Sequence, residues 1–265
     1  MNDGKSRFTS DRRSPNAASW ETDADWTAGI AENVDVTATG LVGRAPLSLG
    51  TPPDSGVSRW RLEQELTDQW GNNAGTAFGG EFTENAAVGN YAYSFRGGEY
   101  IDVGVLPLTG SISIAAWLYP TDVSTQGHAF SNYGGNDNGE NHFLLGIGAG
   151  SDTDPDQPVF FIDAGIEGHQ ARAPSVSANS YYHLTGVFDE AASEIRIYVD
   201  GALGGTASWS RPTPDWQQRQ TQLGAPPGGS EKFVYNGHLD DPRAYNKALS
   251  DSEVQNLYMT GSIYS

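Results

Sequence analysis

Residues 233–254 read FVYNGHLDDPRAYNKALSDSEV. The stretch predicts a last long strand entered through Gly237, with Leu239 on one face and the acidic pair Asp240 and Asp241 beside it. Adjacent strand residues point to opposite faces, so those two acids do not form a facing pair. The strand continues through Arg243, Ala244 and Tyr245 to a turn at Asn246-Lys247. Ser250 then stands as an N-cap with Glu253 three residues later. Hydroxyl and carboxylate each satisfy an orphan backbone donor there, so a short helix opens and runs through Val254 and Leu257.

Upstream, the chain reads as strands separated by turn residues. Tyr181 to Asp189 (YYHLTGVFD) and Glu194 to Gly201 (EIRIYVDG) predict a hairpin pair, with Leu184, Val187, Ile195, Ile197 and Val199 in the core and Asp200-Gly201 as the next turn. Residues 111–120, SISIAAWLYP, carry apolar groups on both alternating faces, as an inner strand of a sandwich does. Further strands are expected in HAFSN, in NHFLLGIG and in PVFFID. Tyr93 to Val103 reads as two strands around the Gly97-Gly98 turn. Val57 to Glu63 opens the series with Trp60 and Leu62 facing inward, and residues 68–80 form a turn-rich crossing.

These segments, in this order, resemble the laminin G-like jelly rolls of the concanavalin A-like lectin/glucanase superfamily. The resemblance is carried by the closing strand with its "ALS-xx-E" helix, by YSFRGGEYIDV, by SISIAAWLYP, and by YYHLTGVFD with EIRIYVDG. It covers residues 57 to about 260. Arg96 departs from the pattern at a position where the family often has Asp. The implied fold is an all-β antiparallel β-sandwich jelly roll with an extended N-terminal segment and a short C-terminal helix.

Composition agrees with this class. Gly 33 and Pro 14, with 11% aromatic residues, suit short strands joined by tight turns. There are no cysteines, so disulfides, thiolate metal sites and cysteine nucleophiles are excluded. The formal net charge is −18, and the lysines are Lys5, Lys232 and Lys247. An acidic, lysine-poor surface stays hydrated where salt screens self-repulsion, which points to a salt-loving host. The same charge argues against nucleic acid or an anionic membrane as partner. No apolar run approaches a membrane span, and the first residues lack the apolar core of a secretory signal peptide.

Three regions follow: residues 1–18 as a flexible polar arm, 19–56 as a docking segment and linker, and 57–265 as the jelly-roll domain. Trp20 and Trp26 in the second region fit either packing along the edge of the domain or insertion into a neighbouring subunit.

The chain lacks the alternating paired carboxylates on one strand that glycoside hydrolysis needs. The enzymatic lead is Gly168-His169-Gln170-Ala171-Arg172, where His169 and Arg172 with a nearby Tyr would serve a polysaccharide lyase. For saccharide recognition, flat rings and amides near loops are the relevant groups. The candidates are Asn132, Tyr133, Asn136, Asn138 and His142 in one loop, and Trp209 and Trp216 in another. The resemblance also implies a structural Ca²⁺ held by Asp240, with Asp68 or Glu81 supplying a partner oxygen; the alternative for Asp240 is acceptance of turn amides. The acidic loop at Asp152, Asp154 and Asp156 reads as a solvated loop.

The expected function is a non-catalytic surface recognition and display module that binds a glycan or host receptor. The absent leader and the docking segment suggest a homo-oligomeric virion spike, turret or tail fibre. A polysaccharide lyase or hydrolase is the competing enzyme class, and a purely structural shell-decorating protein is the third.

Overall fold

The computed structural model describes residues 55–133, 141–148, 154–164, 168–228 and 233–261. Among these, fifteen strands form two antiparallel sheets. In chain order they are β1 (Gly56–Arg59), β2 (Thr76–Phe78), β3 (Glu81–Thr83), β4 (Ala92–Arg96), β5 (Tyr100–Gly104), β6 (Ile112–Pro120), β7 (Gly127–Ser131) and β8 (Asn141–Ile147). They continue with β9 (Pro158–Ala164), β10 (Gly168–Arg172), β11 (Tyr182–Asp189), β12 (Glu194–Val199), β13 (Ala202–Ser208), β14 (Thr221–Leu223) and β15 (Asn236–Tyr245). The helix α1 (Asp251–Thr260) follows.

One sheet has the order β13-β12-β11-β6-β15-β4-β3, with β1 also on β15; the other runs β10-β9-β8-β7-β14-β5-β2. The aromatic and aliphatic residues of the facing sides meet between them, with Trp60, Phe95, Phe130, Phe143, Phe160 and Phe188 fully buried. The expected hairpin of β11 and β12 is present, and β6 lies between β11 and β15 as an inner strand. The predicted strands around Gly97-Gly98 also form, but β4 belongs to one sheet and β5 to the other. Both glycines have positive φ, 100° and 87°, so the turn is a corner that carries the chain across the sandwich.

Strand β15 is long, as expected, yet it is not regular. Its register against β6 shifts between Asp240 and Arg243, and Asp241 has φ 48°. Pro242 sits inside this bulge, where a missing N–H breaks no ladder bond.

The second apolar cluster lies on the other side of the eight-stranded sheet. Val254 and Leu257 of α1 pack there on Ala115, Val187, Tyr198 and Tyr245. The predicted capping box is complete: Ser250 Oγ accepts from the Glu253 amide at 3.3 Å and Glu253 Oε2 accepts from the Ser250 amide at 2.9 Å. Replacing Ser250 by alanine is expected to cost about 1 kcal/mol, a fall in Tm of about 2–4 °C in a thermal melt. An unchanged melt would show that packing alone holds the helix. With α1 on one outer face, the outer face of the seven-stranded sheet is left to carry polar and aromatic side chains.

Candidate functional site

The core-facing residues of the seven-stranded sheet fix its other face by alternation. Ile101, Leu223, Phe130, Leu145 and Phe160 face the core. Their neighbours therefore form a row across the outside: Thr76, Asp102, Gln222, Ser131, Leu144, Phe161 and Gln170 are successive cross-strand partners. In the middle of this face Leu144 and Val159 are buried under Tyr133 and Phe161. At the β2 end the face is open.

That open end is a groove of about 340 Å³ lined by Asn72, Asn73, Thr76, Phe78, Asp102 and Gly104 among others. Phe78 is 49% exposed and stacks on Tyr100, its partner across β2 and β5, with ring centroids 4.7 Å apart and an interplanar angle of 17°. The stacking holds one flat aromatic face toward solvent. Asp102, half-buried on β5, accepts from the Gly104 amide through Oδ1 at 2.8 Å. Asn72, Asn73 and Ala74 line the groove from a segment, residues 68–75, that a buried carboxylate clamps. Asp68 accepts the amides of Arg59, Trp70 and Gly71 through Oδ1, each at 3.0 Å, and of Asn73 through Oδ2 at 3.1 Å. Asn73 in turn donates its side-chain amide to the carbonyls of Val103 and Val105, at 2.9 and 3.0 Å. The Trp60 indole donates to the Asn73 carbonyl at 2.7 Å, tying the segment to the core.

Two aromatic candidates are corrected. Trp209 and Trp216 are 5% and 2% exposed and belong to the main core, where both pack on Phe188. Their rings fill the space between the sheets and offer no platform. Asn132 is also buried: its Oδ1 accepts from the Phe143 amide at 2.7 Å and its Nδ2 donates to the Trp216 carbonyl at 3.3 Å. It is a connector between β8 and the Trp216–Gln218 turn. Tyr133 and His142 are brought together, with ring centroids 5.1 Å apart, and His128 and Phe161 stand 5.7 and 5.5 Å from Tyr133. His142 is buried beneath this cluster while Tyr133 is half-exposed. Asn136 and Asn138 lie outside the described residues, as do residues 1–54 with Trp20 and Trp26, and Asp152 of the acidic loop.

The three acids considered for Ca²⁺ do not converge. Asp68 is committed to four amides, and Glu81 pairs with the exposed guanidinium of Arg96. Asp240 is fully buried, with Oδ2 accepting the amides of Ala87 and Val88 at 2.8 and 2.9 Å and Oδ1 without a hydrogen-bond partner. Burial pushes its carboxyl well above the usual carboxylate range. Among the described residues no three His, Cys, Asp or Glu side chains are grouped to hold a metal. This acid set therefore does not fit the ion.

The enzymatic lead also separates. His169 and Ala171 lie on the core side of β10, where Ala171 is part of the core and the His169 ring meets Trp209 at 5.4 Å. Gln170 and Arg172 lie on the other side, with a hydrogen bond between them at 3.3 Å. A base and a carboxylate-neutralising arginine on opposite faces of one strand do not act on one substrate atom. The groove was missed because Thr76 to Phe78 fell within the turn-rich crossing. A signal was present: a polar residue at 102 between Ile101 and Val103 marks an outward position, and an aromatic at 78 follows the Gly75 break.

Comparison with known proteins agrees with this architecture. No curated protein matches the chain. Domain 4 of AbnA, a GH43 extracellular arabinanase from Geobacillus stearothermophilus, is similar in structure, with TM-score 0.63 and 16% identity over 77% of this chain and 98% of that one. The CBM40 of the Ruminococcus gnavus IT-sialidase gives TM-score 0.52 and 16% identity, covering 63% of this chain and 96% of that one. The binding domain of botulinum neurotoxin serotype D gives 0.55 and 15%, covering 77% of this chain and about half, 51%, of that one. At these identities the likeness is one of fold. The family profile described as the Concanavalin A-like lectin/glucanases superfamily matches residues 95–255, more than half of the sequence. The chain belongs to the concanavalin A-like lectin/glucanases superfamily, through its laminin G-like branch.

Proposed function

We propose that this protein is a non-catalytic glycan-recognition module that holds a saccharide in the groove between β2 and β5. The observation that carries the reading is the exposed face of Phe78, fixed by stacking on Tyr100, beside the hydrogen-bonding groups of Asn72, Thr76 and Asp102. A pyranose or furanose lays its C–H face on such a ring while its hydroxyls meet amides and carboxylates. The fold relatives lend support: the arabinanase domain was solved in complex with arabinotriose and the CBM40 bound to α2,3 sialyllactose. The separation of His169 from Arg172 supports binding over lyase chemistry.

The wider setting belongs to the same proposal. An acidic, lysine-poor surface suits display in high salt, and residues 19–56, with Trp20 and Trp26, would dock the module into a homo-oligomeric particle such as a virion spike.

The test is a glycan array in buffered salt, followed by titration of the bound saccharides against wild type and Phe78→Ala. Loss of the ring is expected to weaken binding by about tenfold, the scale of one aromatic contact, with the far-UV spectrum unchanged. Equal affinity in the variant, or no saccharide bound by wild type, removes the groove as a glycan site.

A further inference from the structure

We infer, resting on the groove reading just given, that the site selects uncharged saccharides and that Asp102 sets this preference. Among the described residues, the lining contains a carboxylate and no basic side chain. Asp102 Oδ1 is held by the Gly104 amide, and among the described residues no hydrogen bond reaches Oδ2, which leaves one acceptor oxygen for a ligand. Both amide hydrogens of Asn73 are used on the Val103 and Val105 carbonyls. This leaves Asn73 only an acceptor oxygen to offer. Thr76 supplies a hydroxyl and the exposed Asn72 an amide. The set is rich in acceptors and poor in donors, and it suits a ligand that donates, as a sugar hydroxyl does.

An acidic sugar meets the opposite. A sialic or uronic carboxylate in this groove would stand near the Asp102 carboxylate with no cation among the described lining residues to neutralise either. Among the described residues, the groove lining itself supplies no guanidinium or ammonium group. The chain as a whole carries −18. Repulsion of this kind acts by excluding the wrong ligand as much as by holding the right one.

The experiment is calorimetric titration of the full chain with lactose, arabinotriose and 3′-sialyllactose in one buffer, for wild type, Asp102→Asn and Phe78→Ala. Asparagine keeps an oxygen for the Gly104 amide, so the local turn is preserved. Wild type is expected to bind at least one neutral sugar about tenfold or more tighter than sialyllactose, a difference of about 1.4 kcal/mol. Asp102→Asn should narrow that gap. Sialyllactose binding as tightly as lactose, and weakened by Phe78→Ala, overturns the selection while leaving the groove in place. A gap unchanged by Asp102→Asn overturns the role of Asp102. Affinities unmoved by Phe78→Ala remove the groove reading and this inference together.

Discussion

Replacing Asp241 by alanine is expected to lower the unfolding free energy by about 3–5 kcal/mol, because it removes the buried carboxylate that two buried guanidinium groups share. Asp241 Oδ1 accepts from Arg59 Nε at 2.7 Å, and Oδ2 accepts from Arg59 Nη2 at 3.3 Å, from Arg243 Nε at 3.1 Å and from Arg243 Nη2. All three side chains are almost wholly buried. Burial alone would raise the Asp241 carboxyl, but the Arg243 and Arg59 charges outweigh it and hold it below the usual range. Trp70 lies 5.9 Å from both guanidinium carbons, and Arg243 Nη1 donates to the Gly261 carbonyl at 2.6 Å. The cluster thus joins β1, the bulge of β15 and the end of α1. Urea denaturation at neutral pH is the measurement, with Glu81→Ala as a comparison, since its ion pair with Arg96 is exposed and contributes about 0–1 kcal/mol. A loss no larger for Asp241→Ala than for Glu81→Ala would show that the arginines reach solvent when the acid is gone.

This cluster also shows where sequence reading stops. The closing strand, the Ser250 capping box, the inner strand β6 and the β11–β12 hairpin were legible because each is set by local patterning: alternation, a cap at fixed spacing, a turn dipeptide. The bulge was signalled by Pro242 inside the strand, yet the ion cluster it builds joins Arg59 to Asp241 across most of the chain. Nothing local to either residue specifies that contact. Trp209 and Trp216 failed as sugar platforms for a related reason. They occupy polar, proline-containing sequence that reads as an exposed loop, but the space between the sheets needs large rings, and Phe143 and Phe188 receive them. The groove was hidden because its two walls, residues 72–78 and 102–104, are far apart in sequence and meet through sheet pairing and the Asn73 side chain. Asp68 was noticed as an acid that could bind a metal. Its four amide partners make it the clamp of that wall instead.

Lowering the pH from about 6.5 to 4.5 is expected to cost the fold about 2–3 kcal/mol for each of His128 and His183. Burial pushes both imidazoles down to about 3, and the Arg243 charge adds to the effect at His183, against the smaller opposing pull of Asp241. The rings are enclosed. His128 stacks on Phe233 with centroids 5.2 Å apart, and His183 meets Trp117 at 5.0 Å and Tyr258 at 6.1 Å. The Nδ1 atom of each is buried without a hydrogen-bond partner, so a proton added there gains no acceptor. The unfolded chain takes up its protons near pH 6.5, whereas the folded one resists until about 3. Each histidine therefore leaves stability intact above pH 6.5 and removes it progressively as pH falls through that window. Asp240 acts in the opposite sense, because its raised carboxyl favours the folded state as acid is added. Its contribution, like the relief of repulsion among the many surface acids, is common to wild type and to a histidine variant, and it cancels in their difference. Urea midpoints measured at several pH values for wild type, His128→Phe and His183→Phe isolate the imidazoles. Each variant should lose less stability than wild type between pH 6.5 and 4.5, with a slope smaller by close to one proton. Parallel pH profiles would mean that the buried rings gain their protons through local opening, and that the enclosed aromatic settings of His128 and His183 are not what limits the fold in acid.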